Sequence, residues 1–218
     1  MLSIMLAAVL AIALILFAVG GMQGGAPATA AEASGSPPGV HLGVASCAGS
    51  PCHGRSEPTG AIVRQDELLR WQEESSPSGA HSRAFRILSE PRSRAIAARL
   101  GLPSAASAPM CLGCHAEPAG PRGPRFQLSD GVGCESCHGP ASGWIEVHKT
   151  GNRAASLAAG MVPLDNPKRR AALCLDCHFG SDRPGQFVDH RIMAAGHPRV
   201  SFELDLFSTL QQHHNEDA

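Results

Sequence analysis

Cys134-Glu135-Ser136-Cys137-His138 is the stretch on which the reading of this chain turns. Two cysteines separated by two residues are followed at once by a histidine. The same arrangement returns as Cys111-Leu-Gly-Cys114-His115 and Cys174-Leu-Asp-Cys177-His178. A fourth unit, Cys47-Ala-Gly-Ser-Pro-Cys52-His53, keeps the Cys-His ending but sets four residues between its cysteines. These four units consume all eight cysteines of the 218-residue chain.

C-x-x-C-H is the attachment motif for haem c. Each thiol adds to one vinyl group of the porphyrin, and the two thioethers fix the ring. The histidine that follows then offers its imidazole to the iron from the proximal side. Zinc and disulfides are the competing uses of paired cysteines. Neither calls for a histidine after every second cysteine, and here four of four have one. The expectation is therefore four haem c groups. Their thioethers are Cys47/Cys52, Cys111/Cys114, Cys134/Cys137 and Cys174/Cys177, and their proximal iron ligands are His53, His115, His138 and His178.

Composition agrees with a chain organised around cofactors. Seven Phe, two Trp and no Tyr stand beside 24 Gly and 17 Pro, so the protein's own apolar core would be thin. Chains of that kind lean on a metal or cofactor. The formal net charge of −1 gives no electrostatic case for nucleic acid. Met1 to Met22 is apolar and without charge, and Ala28-Thr29-Ala30 offers a cleavage site. Residues 1–30 read as a signal peptide or an N-terminal membrane anchor. The small-residue tract supports cleavage; the missing n-region charge and the length of the apolar stretch support an anchor. Residues 31–39 read as a flexible linker and 40–218 as one tetrahaem domain. Either reading of the N-terminus puts the domain in the periplasm or otherwise outside the cytoplasm, with anchoring to the inner membrane as the second form.

The second cysteines stand at 52, 114, 137 and 177, too irregular for a string of one-haem modules. The short step between 114 and 137 predicts that the second and third haems are neighbours. The pattern predicts a helix over 64–74 and another over 83–100, interrupted at Pro91 and stopped by Gly101. Asn166-Pro167 is a cap followed by proline at the first helical position, and the helix it starts carries the fourth motif at its end. Residues 116–133, rich in Gly and Pro, read as loop. The fold class expected is mainly α with extensive loops, a multihaem cytochrome c fold organised around clustered haems.

Beyond the motifs, three stretches resemble the cytochrome c554-like multihaem cytochromes. One is Asp130-Gly-Val-Gly-Cys-Glu-Ser-Cys-His-Gly-Pro140 with His148 after it. Another is Trp71 with Gly79-Ala-His81-Ser-Arg-Ala84. The third is His190-Arg-Ile-Met-Ala-Ala-Gly-His197-Pro-Arg-Val-Ser-Phe-Glu203, closer to a subgroup of multihaem proteins. The resemblance runs from about Gly43 to Phe207, and the lengthened first motif departs from it. It implies a mostly helical protein outside the cytoplasmic membrane that passes electrons between redox partner proteins. It also implies distal iron ligands: His148 for the first haem and His81 for the third. His190 and His197 would then serve the fourth and second, in either order.

The other histidines carry less. His41 lies too close to Cys47 to reach across to another site, and His213 and His214 fall in a polar tail. Met110, Met161 and Met193 read as soft core filling rather than axial ligands. Sixteen of the eighteen basic residues are Arg, whose forks suit haem propionates. Three functions follow as alternatives. An electron carrier has every iron closed by two histidines, a haem enzyme leaves one iron open to a small nitrogen or oxygen compound, and a wiring subunit serves a membrane complex. No catalytic acid or base stands out, so the carrier is the expected form.

Overall fold

Helices of one to three turns joined by turns and loops build this protein, seen here in a computed structural model that describes residues 39–60, 63–116, 120–183 and 185–210. The expected signal or anchor, and His213 and His214, lie outside the described residues. Everything described falls in one compact unit, Ser36–Ala218. Among the described residues no helix is long and apolar enough to cross a membrane.

Helix α1 is Glu67–Gln72, shorter than the span predicted over 64–74. Gln65 takes a left-handed φ of 63° and Glu73 an extended ψ of 103°, so neither flank continues the helix. The region predicted over 83–100 is two helices, α2 (Ala84–Ile87) and α3 (Pro91–Arg99). Glu90 is extended because a residue before proline is pushed out of the helical region. Gly101, at φ 71°, ends α3: its N–H donates to the Ala98 carbonyl and that of Leu102 to the Ala97 carbonyl.

The motifs come next. Helices α4 (Pro109–His115) and α5 (Cys134–His138) both end on a motif histidine. After α6 (Ile145–His148) and α7 (Arg153–Ala158) comes α8 (Pro167–His178), the third helix to end this way. Asn166 caps α8, accepting from the N–H groups of Lys168 and Arg169, as its sequence predicts. On a helix two cysteines three apart share a face, which is what a porphyrin edge requires. The first motif is not helical. Its spacer folds as turns, with the N–H of Cys52 on the Gly49 carbonyl and that of His53 on the Cys47 carbonyl. Helices α9 (His190–Ala194) and α10 (Leu204–Leu210) complete the chain.

Glu135 knits the N-terminal segment to the third motif. Its buried carboxylate accepts from the backbone N–H groups of Leu42, Gly43 and Ala141 at 2.9, 2.7 and 2.6 Å. Trp71 donates its indole N–H to the Val132 carbonyl, tying α1 to the approach of the same motif. His41 is buried beside Phe126 and pairs, backbone to backbone, with the 121–123 loop. The protein core is thin: its buried apolar residues among those described are Val44, Leu88, Ile96, Trp144, Ile192 and six alanines. One cluster, Leu88, Ala97 and Ala105, packs against Cys111 and Leu112 and so supports the second motif.

Candidate functional site

Three pairs of histidines, each from distant parts of the chain, face each other at nearly equal separations. The ring centroids of His53 and His148 lie 5.9 Å apart, those of His115 and His197 6.3 Å, and those of His81 and His178 6.2 Å. Every pair contains one motif histidine and one histidine from outside the motifs. A metal–imidazole bond of about 2 Å and a nitrogen about 1.1 Å from its ring centroid place two imidazoles that share one iron roughly 6 Å apart. The spacing fits an iron between the rings.

Ring orientation supports the same use. The Nδ1 of His115 bonds the Ala84 carbonyl at 2.9 Å, and the Nδ1 of His197 the Pro198 carbonyl at 2.7 Å. The Nδ1 of His53 meets the Glu67 carboxylate at 2.9 Å. A carbonyl or carboxylate on Nδ1 holds that nitrogen protonated, so Nε2 keeps the lone pair a metal needs. Burial pushes the pKa of His115, His148 and His178 down, which favours the neutral, ligating form. His53 goes the other way, raised by its hydrogen bond to Glu67. Among the described residues no three or more His, Cys, Asp or Glu side chains gather into a metal site. A haem iron asks for only two protein ligands, because the porphyrin supplies four.

None of the eight cysteines is in a disulfide, and all are partly buried. Those of the second and fourth motifs meet: Cys114 and Cys177 hydrogen-bond to each other, which lowers the pKa of Cys114 and raises that of Cys177. The Cys177 thiol also contacts the Gly113 carbonyl at 3.8 Å, and Gln186 donates to that carbonyl at 3.0 Å. A Cβ at Gly113 would stand 2.3 Å from the Gly185 carbonyl oxygen, so only glycine lets the second motif approach the loop that follows the fourth. The second motif thus has the fourth as a direct neighbour, and Cys137 of the third motif also acts electrostatically on Cys177.

The structure places the distal candidates as follows. His148 faces His53, the pairing the resemblance implied. His197 faces His115 of the second motif. His81 faces His178 of the fourth motif, whereas the resemblance implied the third. The reason is local: the His81 carbonyl accepts from the Val132 N–H at 3.1 Å, so its backbone is docked on the approach to the third motif while its ring lies by the end of α8. His190 is exposed at the first position of α9. It does not share a helix face with His197, because α9 ends at Ala194 and Gly196 turns at φ 109°. His178 is further packed by Phe202 and Phe207, with centroids 5.6 and 5.0 Å away.

Sequence reading passed over the residues that hold these ligands. Arg92 donates to the Gly196 carbonyl at 2.9 Å and Arg99 to the Ala195 carbonyl at 2.9 Å. Two arginines of α3 therefore clamp the turn that carries His197. Glu67 and Glu135 were equally silent, one within a predicted helix and one as a spacer residue of a motif.

Cysteine pairs ending in histidine, with a second imidazole facing three of those histidines across the width of an iron, define a c-type cytochrome, a protein that binds haem c and transfers electrons. Comparison with known proteins agrees: the family model described as cytochrome c554 and c-prime matches residues 46–139, and over that stretch the chain is cytochrome c554-like. The match takes in the first three motifs and His81; the fourth motif, His148 and His197 lie beyond it. No curated protein and no solved structure matches.

Proposed function

We propose that this chain is a tetrahaem c-type cytochrome that carries electrons between redox partner proteins outside the cytoplasmic membrane, delivered there by residues 1–30 as a cleaved signal or a retained anchor. The observation that carries the haem reading is the set of three histidine pairs at iron-spanning separations, each joining a motif to a distant histidine. Bound haem supplies a one-electron couple, Fe(III)/Fe(II). The chain supplies thioether cysteines, proximal histidines, and distal histidines that close the iron to other ligands. Haem also supplies the apolar volume that the core among the described residues, six alanines and five larger side chains, does not. Mass spectrometry of the denatured protein tests the stoichiometry, because thioethers survive unfolding. Four haem increments are expected. Three, with Cys47 and Cys52 free or bridged, would overturn the reading of the lengthened motif.

A further inference from the structure

Glu67 is a buried carboxylate, 6% exposed, whose Oε2 lies 2.9 Å from the Nδ1 of His53. Its Oε1 accepts the Arg64 backbone N–H at 2.7 Å, and the Leu68 N–H donates to the His53 carbonyl at 3.0 Å. The start of α1 is thus bolted to the end of the first motif through both backbone and side chain. The Arg64 guanidinium pairs with Asp66 at 3.1 Å. Gln65, just upstream, holds its left-handed φ of 63° while its side chain binds Thr59 and the Pro51 carbonyl of the lengthened spacer. A non-glycine residue keeps that conformation only where the surroundings enforce it. The second motif is built differently: His115 and His197 each give Nδ1 to a neutral backbone carbonyl.

We propose that Glu67, acting through His53, holds the first haem at a lower reduction potential than the second. The inference rests on the haem reading above. A proton shared between Nδ1 and a carboxylate pushes electron density toward Nε2, making His53 a stronger donor to iron. Fe(III) carries one more positive charge than Fe(II), so both the stronger donor and the buried negative charge favour the oxidised form. Reduction adds one electron from a one-electron donor protein; no bond forms or breaks, and the proton stays on Nδ1. An electron placed on the first haem then runs downhill to the second. Glu67 is a positioning and tuning residue, acting through the His53 ring it hydrogen-bonds.

A redox titration followed by electron paramagnetic resonance tests this, since ring geometry labels the two haems. The His53 and His148 rings are nearly parallel, at 15°, which gives a rhombic low-spin signal. The His115 and His197 rings are nearly perpendicular, at 79°, which gives a highly anisotropic one. A haem count is taken first; a protein without haem on these motifs would strike at the haem reading itself and not at Glu67. In the loaded wild type the rhombic centre should titrate below the anisotropic one. Glu67→Gln keeps an acceptor but removes the charge. It should shift the equilibrium of the rhombic centre toward Fe(II) by roughly tenfold, about 59 mV for one electron, and leave the anisotropic centre in place. Glu67→Asp should stay nearer the wild type than Glu67→Gln. No shift in a fully loaded Glu67→Gln protein, or an equal shift of both centres, would overturn the proposal. Should that variant fail to accumulate, the wild-type order decides alone, and a rhombic centre above the anisotropic one refutes it.

Discussion

Glu135→Gln is the substitution whose cost the structure specifies most fully. The carboxylate is 3% exposed and accepts three backbone hydrogen bonds, Oε1 from Leu42 and Ala141 and Oε2 from Gly43. Glutamine has the same shape but only one accepting oxygen. If that oxygen keeps Leu42 and Ala141, the amide NH2 faces the Gly43 N–H, donor against donor. One bond to a charged acceptor is lost, worth about 1.5–3 kcal/mol, and the buried N–H left behind is at the costly end of that range. A net loss of about 3 kcal/mol follows. For a chain of this size it lowers the melting midpoint by roughly 6–12 °C, at about 2–4 °C per kcal/mol. The assay is thermal unfolding followed by circular dichroism in the haem band. Amide hydrogen exchange gives a local reading, and the Gly43 amide should exchange faster than in the wild type. The consequence reaches a haem, because the segment Glu135 holds runs directly into Cys47. A midpoint within about 2 °C of wild type, with exchange at Gly43 unchanged, would refute the argument.

Removing both arginines that grip the turn before His197, Arg92→Ala with Arg99→Ala, should leave all haems attached. The second haem should gain a high-spin fraction, read in the optical spectrum and by electron paramagnetic resonance; a fully low-spin double variant would show that the clamp does not place the ligand. His148→Ala should open the first haem and His81→Ala the fourth. Combining each with a knockout of the corresponding proximal histidine, His53 or His178, identifies the iron. Two high-spin haems in the double variant of His81 and His178, where a shared iron gives one, would return His81 to the third motif.

The motifs were legible because their chemistry is local. Two thiols and an imidazole must fall within one short segment, so the spacing carries the message without a fold. Helix α8 was legible for the same reason, its start written in Asn166-Pro167 and its end in Cys177-His178. The distal ligands were harder, because a histidine outside the motifs reaches its iron through tertiary structure. His81 shows the difficulty. Its backbone hydrogen-bonds beside the third motif, which is the neighbourhood a resemblance perceives, while its ring lies against the fourth. Glu67 and the Arg92/Arg99 clamp were invisible for a further reason. A glutamate on a helix and two arginines on another look like a solvated surface until the partners' atoms are in place. The helix predicted over 64–74 failed at its ends because no propensity rule foresees a left-handed glutamine at position 65.

Carrier and enzyme differ at a single point, whether every iron is closed. The second haem is where the sequence left that question, since its distal ligand depended on the reach of His190 or His197. The structure brings the ring of His197 within 6.3 Å of that of His115 and anchors both Nδ1 atoms on backbone carbonyls, the arrangement that one iron shared between them would need. Such a site is rigid on both sides. An incoming substrate would have to displace an imidazole held by its own hydrogen bond and by a turn that two arginines clamp. The first site is as constrained, with Glu67 on one ring and Trp144 packed edge-on against the other at 5.6 Å. Closed, rigid sites suit electron transfer, because the iron changes charge without changing ligands and little rearrangement accompanies each step. Reduced protein exposed to carbon monoxide tests closure at every haem: no binding completes the carrier, and one stoichiometric site would return the enzyme reading.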